Sequence, residues 1–429
     1  MIGIGIIGLG TVGAGTYRIL TENCSLIKQK TGLDIEVVKI AEIDPKKIKG
    51  TQIPKGILTK DAHGLIEDKS VHIVLELMGG MHPAYEFISN ALEKGKWVVT
   101  ANKALLAEKG NDLFRIAERK GCEIGFEASV CGGIPVIRAI RDGLVGNKIS
   151  YMLGILNGTS NYILTRMTDE GISFDEALRD AQKLGFAEKD PTFDIEGIDA
   201  AHKLCILVRL AFSYPIGMKD IVINGISKIE PIDIMFAHEF GYKVKLLAMA
   251  KEVNGSIETR VEPAMIPMAH PMSSVNGVFN AVYVVGDRVG PSLYYGKGAG
   301  GDPTGSAVVS DIVDMALRME SNNHHVRIPA YHMGKRGKEP KESLVPHYMR
   351  FTAGDRPGVL SKVSGILADY GISISAVTQK ERKEGGFVPI VMLTHEASEK
   401  NLKKAKSVID KLSFIKGESV HIRVEEGNL

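Results

Sequence analysis

The N-terminal stretch constrains the fold of this chain more than any other. An apolar run, Ile2 to Ile7, predicts a buried parallel strand, and a glycine motif and a helix-like segment follow it directly. In a strand–GxGxxG–helix unit the first glycine permits a tight turn, the second lets the backbone approach a pyrophosphate, and the third lets helix and strand pack closely. A purely structural glycine turn is the alternative, but this context favours dinucleotide binding. The residues expected to bind NAD or NADP here are Gly8, Gly10, Thr11, Val12 and Gly13.

The second predicted strand, Ile35 to Ala41, leads to the residue that bears on cofactor choice. It ends at Glu42, and an acid at this position accepts the ribose hydroxyls of NAD. Lys46 and Lys47 follow closely enough to bind the 2′-phosphate of NADP. Glu42 is equally consistent with an ordinary solvated loop acid, so the sequence favours NAD and leaves NADP open.

The alternation of strand and helix continues to about residue 127. Strands are predicted at Val71–Leu77 and Trp97–Thr100, with a helix between them. In an open α/β sheet, ligands bind outside the carboxyl ends of the strands. The residues expected near the cofactor for this reason are Gly79, Thr100 and Lys103. For Lys103 the alternative is a surface lysine in the first turn of a helix.

A further predicted strand, Glu123–Glu127, runs into a loop of mostly small residues, Ala128 to Pro135. Such a loop exposes backbone carbonyls beside the Glu127 carboxylate. Hard oxygen ligands of this kind suit a monovalent or hard divalent cation. The sequence therefore favours a cation site at this loop.

Composition limits the classes of ligand. The chain of 429 residues has 53 basic and 51 acidic residues, so neither a polybasic surface nor an acidic tail is evident. Its four cysteines show no metal-binding or CxxC spacing, which is typical of reduced thiols. No apolar run approaches the roughly 18 residues of a membrane span. These features predict a cytoplasmic protein that binds small molecules, but neither nucleic acid nor membrane.

From about residue 136 the pattern becomes that of an α+β domain with an antiparallel sheet. A hairpin is predicted from Lys243–Val253 and Ser256–Val261, and another strand at Val278–Gly286. A glycine-rich stretch, Gly296–Gly305, follows these strands. We expect it to return the chain to the first domain through an apolar helix over residues 305–320.

Polar residues are concentrated between Glu188 and Lys203. Three acids, Glu188, Asp190 and Asp194, precede a helix that carries Asp199 and Lys203. Residues four apart share one helix face, so the carboxylate and the ammonium of the last two can converge on one small polar molecule. An acid–lysine pair at this spacing is also common on exposed helices. Packing of this helix against a core is indicated by its apolar stripe of Leu204, Leu207, Val208 and Ala211.

The last part of the chain differs in character from the rest. Residues 321–346 are polar and basic and contain three prolines, so they predict a linker. His324 and His325 have no acid or cysteine partner at metal-ligand spacing, which argues against a metal site. Residues 347–429 follow the order β-α-β-β-α-β of a separate ferredoxin-like unit. It shows no apparent nucleophile, base or metal set, so regulation or assembly is favoured over chemistry.

Several motifs of rare composition occur in order along the chain. They are Gly8 to Gly13, Thr100-Ala-Asn-Lys103, Gly133-Ile-Pro135, Asn157-Gly-Thr-Ser-Asn-Tyr-Ile-Leu164 and Asp199-Ala-Ala-His-Lys203. Together they resemble homoserine dehydrogenase, and the match covers essentially the whole chain. The tail sequence Gly354-Asp-Arg-Pro-Gly358 resembles an ACT domain, a ligand-sensing module of amino-acid biosynthesis. No aspartokinase segment precedes the first strand, so the chain resembles the monofunctional form.

The resemblance implies reversible, nicotinamide-dependent reduction of L-aspartate 4-semialdehyde to L-homoserine, a step toward threonine, methionine and isoleucine. It implies that Lys203 donates the proton to the carbonyl oxygen and that Lys103 assists near cofactor and substrate. The family's acids match Glu188, Asp194 and Asp199, which would hold the substrate amino group or order the lysine.

The resemblance also implies an ion site and an effector site. Glu127, with the backbone carbonyls of Val130, Gly132 and Ile134, matches a sodium site, and Gly300 matches a glycine of the cofactor pocket. End-product inhibition by L-threonine is implied for the tail, with the effector at the interface of paired tails in a homodimer or homotetramer. Assembly alone is the alternative role. The effector residues implied are Asp355, Arg356, Pro357, Gly358, Val359 and Leu360.

The expected fold class is α/β, in three parts. A Rossmann-type dinucleotide-binding domain spans residues 1–134 and is completed by the helix at 305–320. An α+β catalytic and dimerisation domain spans 135–304, and a ferredoxin-like ACT domain spans 347–429. Two other functions stay open: a dehydrogenase for a related amino-acid semialdehyde, and a catalytically silent sensor of dinucleotide and amino acid. The presence of Lys103, Asp199 and Lys203 favours catalysis over sensing.

Overall fold

A parallel six-stranded sheet forms the first domain. The computed structural model describes residues 1–49, 52–253, 255–321, 344–380 and 386–426. The strands are β1 (Ile2–Ile7), β2 (Ile35–Ala41), β3 (Leu58–Thr59), β4 (Ile73–Glu76), β5 (Trp97–Thr100) and β6 (Ile124–Gly125). The helices are α1 (Thr11–Glu22), α2 (Cys24–Thr31), α3 (Pro45–Ile48), α4 (Ala62–Glu67), α5 (Ala84–Glu93) and α6 (Lys103–Lys120). The strand order β3-β2-β1-β4-β5-β6 is that of dinucleotide-binding folds, so the predicted Rossmann-type domain is confirmed.

Burial explains the sequence pattern of this sheet. β1 lies between β2 and β4, and all six of its residues are buried, as are the four of β5. Strands covered by helices on both faces need apolar residues at every position, which removes the usual alternation. β6 is shorter than the predicted Glu123–Glu127, because the chain turns at Glu127 into a 3₁₀-helix.

The second sheet is mixed and has ten strands within the described residues. Its strands are β7 (Ile149–Ile155), β8 (Val222–Ile223), β9 (Tyr242–Val253), β10 (Ser256–Pro267), β11 (Phe279–Gly286), β12 (Gly290–Lys297), β13 (His347–Gly354), β14 (Ile374–Thr378), β15 (Phe387–Thr394) and β16 (Val420–Val424). The helices around it are α7 (Val136–Arg138), α8 (Gly158–Glu170), α9 (Phe174–Lys183), α10 (Thr192–Ile195), α11 (Ile198–Phe212), α12 (Pro231–Glu239), α13 (Gly301–Glu320), α14 (Val359–Asp369) and α15 (Glu399–Ile409).

The tail has the predicted β-α-β-β-α-β order, but it does not stand apart from the middle domain. β16 completes the sheet of the tail beside β13 and also pairs in parallel with β10, where Ala264 lies opposite Arg423. β8 also pairs in parallel with β10. The tail is therefore the predicted ferredoxin-like unit with its own hydrophobic core, but its sheet continues into the middle sheet. The middle sheet, expected to be antiparallel, pairs antiparallel from β12 to β10 and becomes mixed where β8 and β16 join β10. Pairing with β16 gives the backbone groups of β10 hydrogen-bond partners that an exposed edge would lack.

Buried polar contacts add to this strand pairing. Asp233 of α12 accepts hydrogen bonds from Arg350 Nε at 2.7 Å and from the Tyr348 hydroxyl at 2.9 Å, both on β13. Arg260 of β10 pairs with Glu399 of α15. Because a buried charge is stable only when it is paired, these contacts tie the tail to the middle domain.

The glycine-rich stretch is mostly regular structure. β12 extends to Lys297 and α13 begins at Gly301, so α13 is longer at its start than the predicted helix. α13 packs along α1, and Asp302 in its first turn pairs with Arg18. Farther along α13, Asp311 Oδ2 accepts from the Glu127 backbone amide at 2.9 Å. The helix therefore lies against the first domain.

Most of the predicted linker cannot be compared with the structure. Residues 322–343, which hold most of the predicted linker and both His324 and His325, lie outside the described residues. Within the part of the chain that the structure describes, no helix is long and apolar enough to cross a membrane.

Candidate active site

A buried carboxylate shared by two lysines lies where α6 of the first domain packs against α11 of the middle domain. Asp199 Oδ1 is 2.6 Å from Lys103 Nζ, and Asp199 Oδ2 is 2.7 Å from Lys203 Nζ. Asp199 and Lys203 are only 4% and 8% exposed, whereas the Lys103 side chain is 41% exposed. The two lysines singled out in the sequence therefore converge on one acid, and Lys103 faces the solvent side of the cluster.

Regular structure fixes each member of this cluster. Lys103 is the first residue of α6, whose N-terminus is capped by Asn102 Oδ1 on the Leu105 amide at 3.2 Å. Asp199 and Lys203 lie one turn apart near the start of α11. Since α6 directly follows β5, the carboxyl end of the parallel sheet delivers Lys103 to the site, as expected for an open α/β fold.

Arg209 holds the two helices together. Its side chain is 5% exposed and donates from Nη1 to the Leu106 carbonyl at 2.9 Å and from Nη2 to the Ala107 carbonyl at 2.7 Å. Arg209 belongs to α11 and both acceptors belong to α6. This contact maintains the register between the helices that carry the two lysines.

Asn157 belongs to the site, although it was predicted only as the first residue of a motif and not as a site residue. Its Nδ2 donates to Asp199 Oδ2 at 2.9 Å and to Asp194 Oδ1 at 2.7 Å, while its Oδ1 caps α8 by accepting from the Ser160 amide at 2.8 Å. An Asn between a strand and a helix is a recognised N-cap signal, but that signal does not reveal what the amide nitrogen binds. Asn157 connects the two predicted acids.

The charges in the cluster stabilise one another. Burial alone would raise the pKa of Asp199, but the ammonium groups of Lys203 and Lys103 outweigh it and hold this pKa well below its usual range. Burial likewise would lower the pKa of Lys203, but Asp199 outweighs it and the pKa is raised. Burial raises the pKa of Asp194, although the hydrogen bond from Asn157 opposes it. At neutral pH Lys203 is therefore a charged ammonium.

The glycine motif has the geometry of a phosphate-binding turn. Gly8 has φ +95°, a conformation that favours glycine, and Gly10 is the N-cap of α1, with Thr11, Val12 and Gly13 in its first turn. Gly300 is the N-cap of α13, which packs against α1. Exposed amides at a helix N-terminus suit a pyrophosphate.

Glu42 faces the glycine motif and not the solvent. It is 5% exposed, with Oε2 accepting from the Leu9 amide at 2.7 Å and Oε1 from the Asp44 amide at 2.9 Å. Burial would raise the pKa of Glu42, but these amides and the nearby Lys47 lower it. The solvated-acid interpretation is therefore wrong, and the carboxylate supports the turn itself.

A second buried acid, absent from the sequence prediction, supports the neighbouring loop. Glu76 ends β4, and its Oε1 accepts from the amides of Met78 and Gly79 at 3.1 and 3.0 Å. Its Oε2 accepts from the Thr100 hydroxyl at 2.8 Å. Gly79 and Thr100, both expected near the cofactor, are thereby joined. The sequence signal that could have revealed Glu76 is an acid at the end of an otherwise apolar strand.

The loop predicted to bind a cation is buried and packed. Glu127 Oε1 and Oε2 accept from the amides of Ile137 and Arg138, each at 2.8 Å. The Ile134 carbonyl accepts from the Val136 amide at 2.7 Å. Burial raises the pKa of Glu127, although the hydrogen bonds from these two backbone amides oppose it. Val130 and Gly132 lie in the same loop, which is anchored by the Gly133 amide donating to the Lys297 carbonyl at 3.0 Å.

Two sets of predicted residues lie apart from the cluster. Glu188 is exposed, and the hydrogen bond at this residue is made by its carbonyl, which accepts from Gln182. The segment Asp355–Leu360 lies in the tail between β13 and α14, where Gly358 is the N-cap of α14. The structure does not join Glu188 to Asp199, and their shared role stays a prediction.

Comparisons with known proteins agree along the whole chain. Family models for homoserine dehydrogenase, for the homoserine dehydrogenase NAD-binding domain and for the ACT domain match residues 135–313, 8–127 and 347–414. Homoserine dehydrogenase of Pseudomonas aeruginosa is 43% identical over 100% of this chain and 99% of its own length. That of Helicobacter pylori is 45% identical over 99% of both chains. The chain belongs to the homoserine dehydrogenase family.

Solved structures support this membership. A crystal structure of a homoserine dehydrogenase from Thiobacillus denitrificans has a TM-score of 0.92 at 44% identity, covering 99% of this chain and 98% of that chain. The Staphylococcus aureus homoserine dehydrogenase has a TM-score of 0.76 at 35% identity, with coverage of 99% and 98%. As a member of this family, the chain is an NAD(P)-dependent oxidoreductase with a C-terminal ACT domain.

Asp199→Asn should destabilise this protein in a pH-dependent way. The substitution leaves the Lys203 ammonium buried without its charge partner, which costs about 3–5 kcal/mol near neutral pH. Without Asp199, burial lowers the Lys203 pKa below its unfolded value of about 10.4, so the penalty is fully present below the lowered pKa and disappears as the pH rises through about 10.4.

Thermal unfolding between about pH 6 and pH 10 measures this effect, as the difference in Tm between wild type and variant at each pH. Asp190→Asn changes an exposed acid of the same stretch and should leave Tm nearly unchanged. A difference that is the same at every pH would contradict the charge-pair explanation.

Proposed function

We propose that Lys203 is the proton donor in the reversible reduction of L-aspartate 4-semialdehyde to L-homoserine. The observation that carries this proposal is the ammonium of Lys203 held at 2.7 Å from a buried carboxylate. A bound nicotinamide cofactor would supply hydride to the carbonyl carbon, and the carbonyl oxygen would then carry negative charge. A positioned ammonium both stabilises that charge and supplies the proton.

The remaining side chains fit supporting roles. Lys103, on the exposed side of Asp199, would meet substrate and cofactor. Asp199 orders both lysines, and Asp194, held by Asn157, would bind the substrate amino group. Glu188 lies in the exposed segment before α10 and would contact the substrate from there. A nicotinamide cofactor at the glycine motif would supply the hydride.

We further propose that NADP is used at least as well as NAD. Glu42 is 5% exposed and its carboxylate supports the glycine turn, so this acid is poorly placed to select the ribose hydroxyls of NAD. Lys47 Nζ lies 3.5 Å from Glu42, near the edge where a 2′-phosphate would sit. A hyperthermophilic archaeal homoserine dehydrogenase solved in complex with NADPH is 28% identical, with a TM-score of 0.63 and coverage of 74% of this chain and 98% of that chain.

Lys203→Met should lower kcat for L-homoserine oxidation by about two to four orders of magnitude and leave cofactor affinity nearly unchanged. The measurement is the initial rate at the nicotinamide absorbance, with NAD and NADP in parallel. Lys189→Met replaces an exposed lysine of the same segment and should retain activity. Loss of rate and cofactor binding together would indicate a structural lysine. A wild-type chain that binds both cofactors and turns over neither would favour the sensor alternative.

We propose a sodium ion at the loop of Glu127. A carboxylate and the carbonyls of Val130, Gly132 and Ile134 form a set of hard oxygen donors, which suits such an ion. Each Glu127 oxygen accepts one amide and retains a lone pair for a cation. An ion there would stabilise the packed loop and would take no part in the chemical step.

Sodium should therefore raise the Tm relative to choline chloride at equal ionic strength, because a ligand of the folded state stabilises it by mass action. Glu127→Gln should remove this response, whatever it does to the Tm itself. Glu22→Gln, an exposed acid, should keep the response. Equal melting in both salts would argue against the ion.

For the tail we propose an L-threonine site formed at paired ACT domains of a homo-oligomer. Amides at the start of α14 follow Gly358 and suit an amino-acid carboxylate. Deleting the tail is a poor test, since it would strip β16 from β10 and leave Arg260 without Glu399. A substitution on the exposed surface of this segment is preferable.

Threonine should inhibit the full chain, and Leu360→Glu should weaken this inhibition by about tenfold or more, because the new carboxylate repels that of the effector. Leu360 is 41% exposed, so activity without threonine should persist. Lys404→Ala, which replaces an exposed lysine of α15, is the control. Lack of any wild-type response would leave assembly as the role of the tail, which light scattering would then examine.

A further inference from the structure

Asn280 lies next to the Lys203 ammonium and shares a partner with it. The antiparallel pairing of β11 with β7 places Ala281 opposite Ile155, so Asn280 reaches the residue that follows β7. Its Nδ2 donates to the Leu156 carbonyl at 3.0 Å, and Lys203 Nζ donates to the same oxygen at 2.6 Å. Asn280 is 1% exposed. No role follows for it from the sequence, because one asparagine within a strand forms no pattern.

The orientation of the Asn280 amide is determined by its surroundings. Within the described residues its Oδ1 has no hydrogen-bond partner, and turning the amide over would set this oxygen against the Leu156 carbonyl. A Cβ atom at Gly298 would lie 2.1 Å from Asn280 Cγ, so the bare backbone of this loop covers the amide. The amide therefore has one productive orientation, with Nδ2 on Leu156.

The neighbouring thiol does not compete for the proton of Lys203. Burial raises the pKa of Cys131 to about 11, although the nearby Lys203 ammonium and the Asn280 amide oppose it. Near neutral pH this thiol is protonated. The groups that accept from Lys203 are therefore the Asp199 carboxylate and the Leu156 carbonyl.

A lysine ammonium has three N–H donors, and these two acceptors use two of them. The direction of the third, which would carry the proton to the substrate, is fixed once the first two are fixed. We propose that Asn280 is a positioning residue that aims the donated proton of Lys203 by holding the Leu156 carbonyl. This inference rests on the proposed role of Lys203 as proton donor.

Asn280→Ala should lower kcat in the reducing direction by about 10- to 100-fold, since small errors in the geometry of reacting groups are costly. KM and the cofactor Kd should stay within about twofold of wild type, because Asn280 touches neither ligand in this proposal. The loss should be equal across the pH range.

Asn280→Asp gives the sharper readout. When protonated, the new carboxyl donates to the Leu156 carbonyl in place of the amide, and when ionised it cannot. Relative to wild type at each pH, activity should approach the normal value at low pH. It should fall as the pH rises through the pKa of the new carboxyl, which burial and the Asp199 carboxylate raise and the Lys203 ammonium lowers. A merely structural asparagine would not produce this pH-dependent rescue.

Two further variants separate the outcomes. Asn224→Ala removes an amide that donates to Glu262 at 3.0 Å and should leave the rate unchanged. Lys203→Met, measured alongside, tests the proposed function itself. If this variant retains activity, the proposed role of Lys203 as proton donor is wrong, whatever Asn280 does. If Lys203→Met is inactive while the kcat of Asn280→Ala stays within about threefold of wild type, the role of Asn280 is overturned.

Discussion

The buried charge of Asp199 is the constraint on which the site depends. A carboxylate removed from water is stable only when it is paired and hydrogen-bonded, and Asp199 receives the ammonium groups of Lys103 and Lys203 and the amide of Asn157. These partners come from α6, α11 and the junction of β7 with α8. Lys203 and Asn157 belong to the middle domain, as Asp199 does, whereas α6 belongs to the first domain. The pair of Asp199 with Lys103 therefore forms only while the two domains stay together.

Much of the fold follows from local pattern. The apolar run of β1 and the glycine motif after it predict the parallel sheet. The sequence Ser173-Phe-Asp-Glu176 has the Ser-x-x-Glu pattern of a capping box, and α9 begins there. Asp199 and Lys203 were placed on one helix face by their spacing, and their contact at 2.7 Å confirms that geometry. Features of this kind depend on neighbours in the sequence, which is why they can be predicted from it.

Contacts between residues far apart in sequence were harder to predict from it. The direction in which Glu42 points depends on the Leu9 amide, 33 residues away, and no local pattern distinguishes that from a solvated acid. The amide nitrogens of Asn157 and Asn280 donate to partners that are distant in sequence and that only the folded structure brings near. The pairing of β16 with β10 joins two stretches with ordinary strand patterns, either of which would fit several partners.

This last pairing bears on how the polypeptide acquires its structure. β10 is synthesised long before β16, so one of its edges lacks that partner while the rest of the middle domain is already made. Contacts between residues far apart in sequence slow folding, and an unpaired strand edge is a surface on which nascent chains associate. Because one sheet joins the catalytic and ACT regions, the yield of folded protein depends on how quickly β16 pairs with β10.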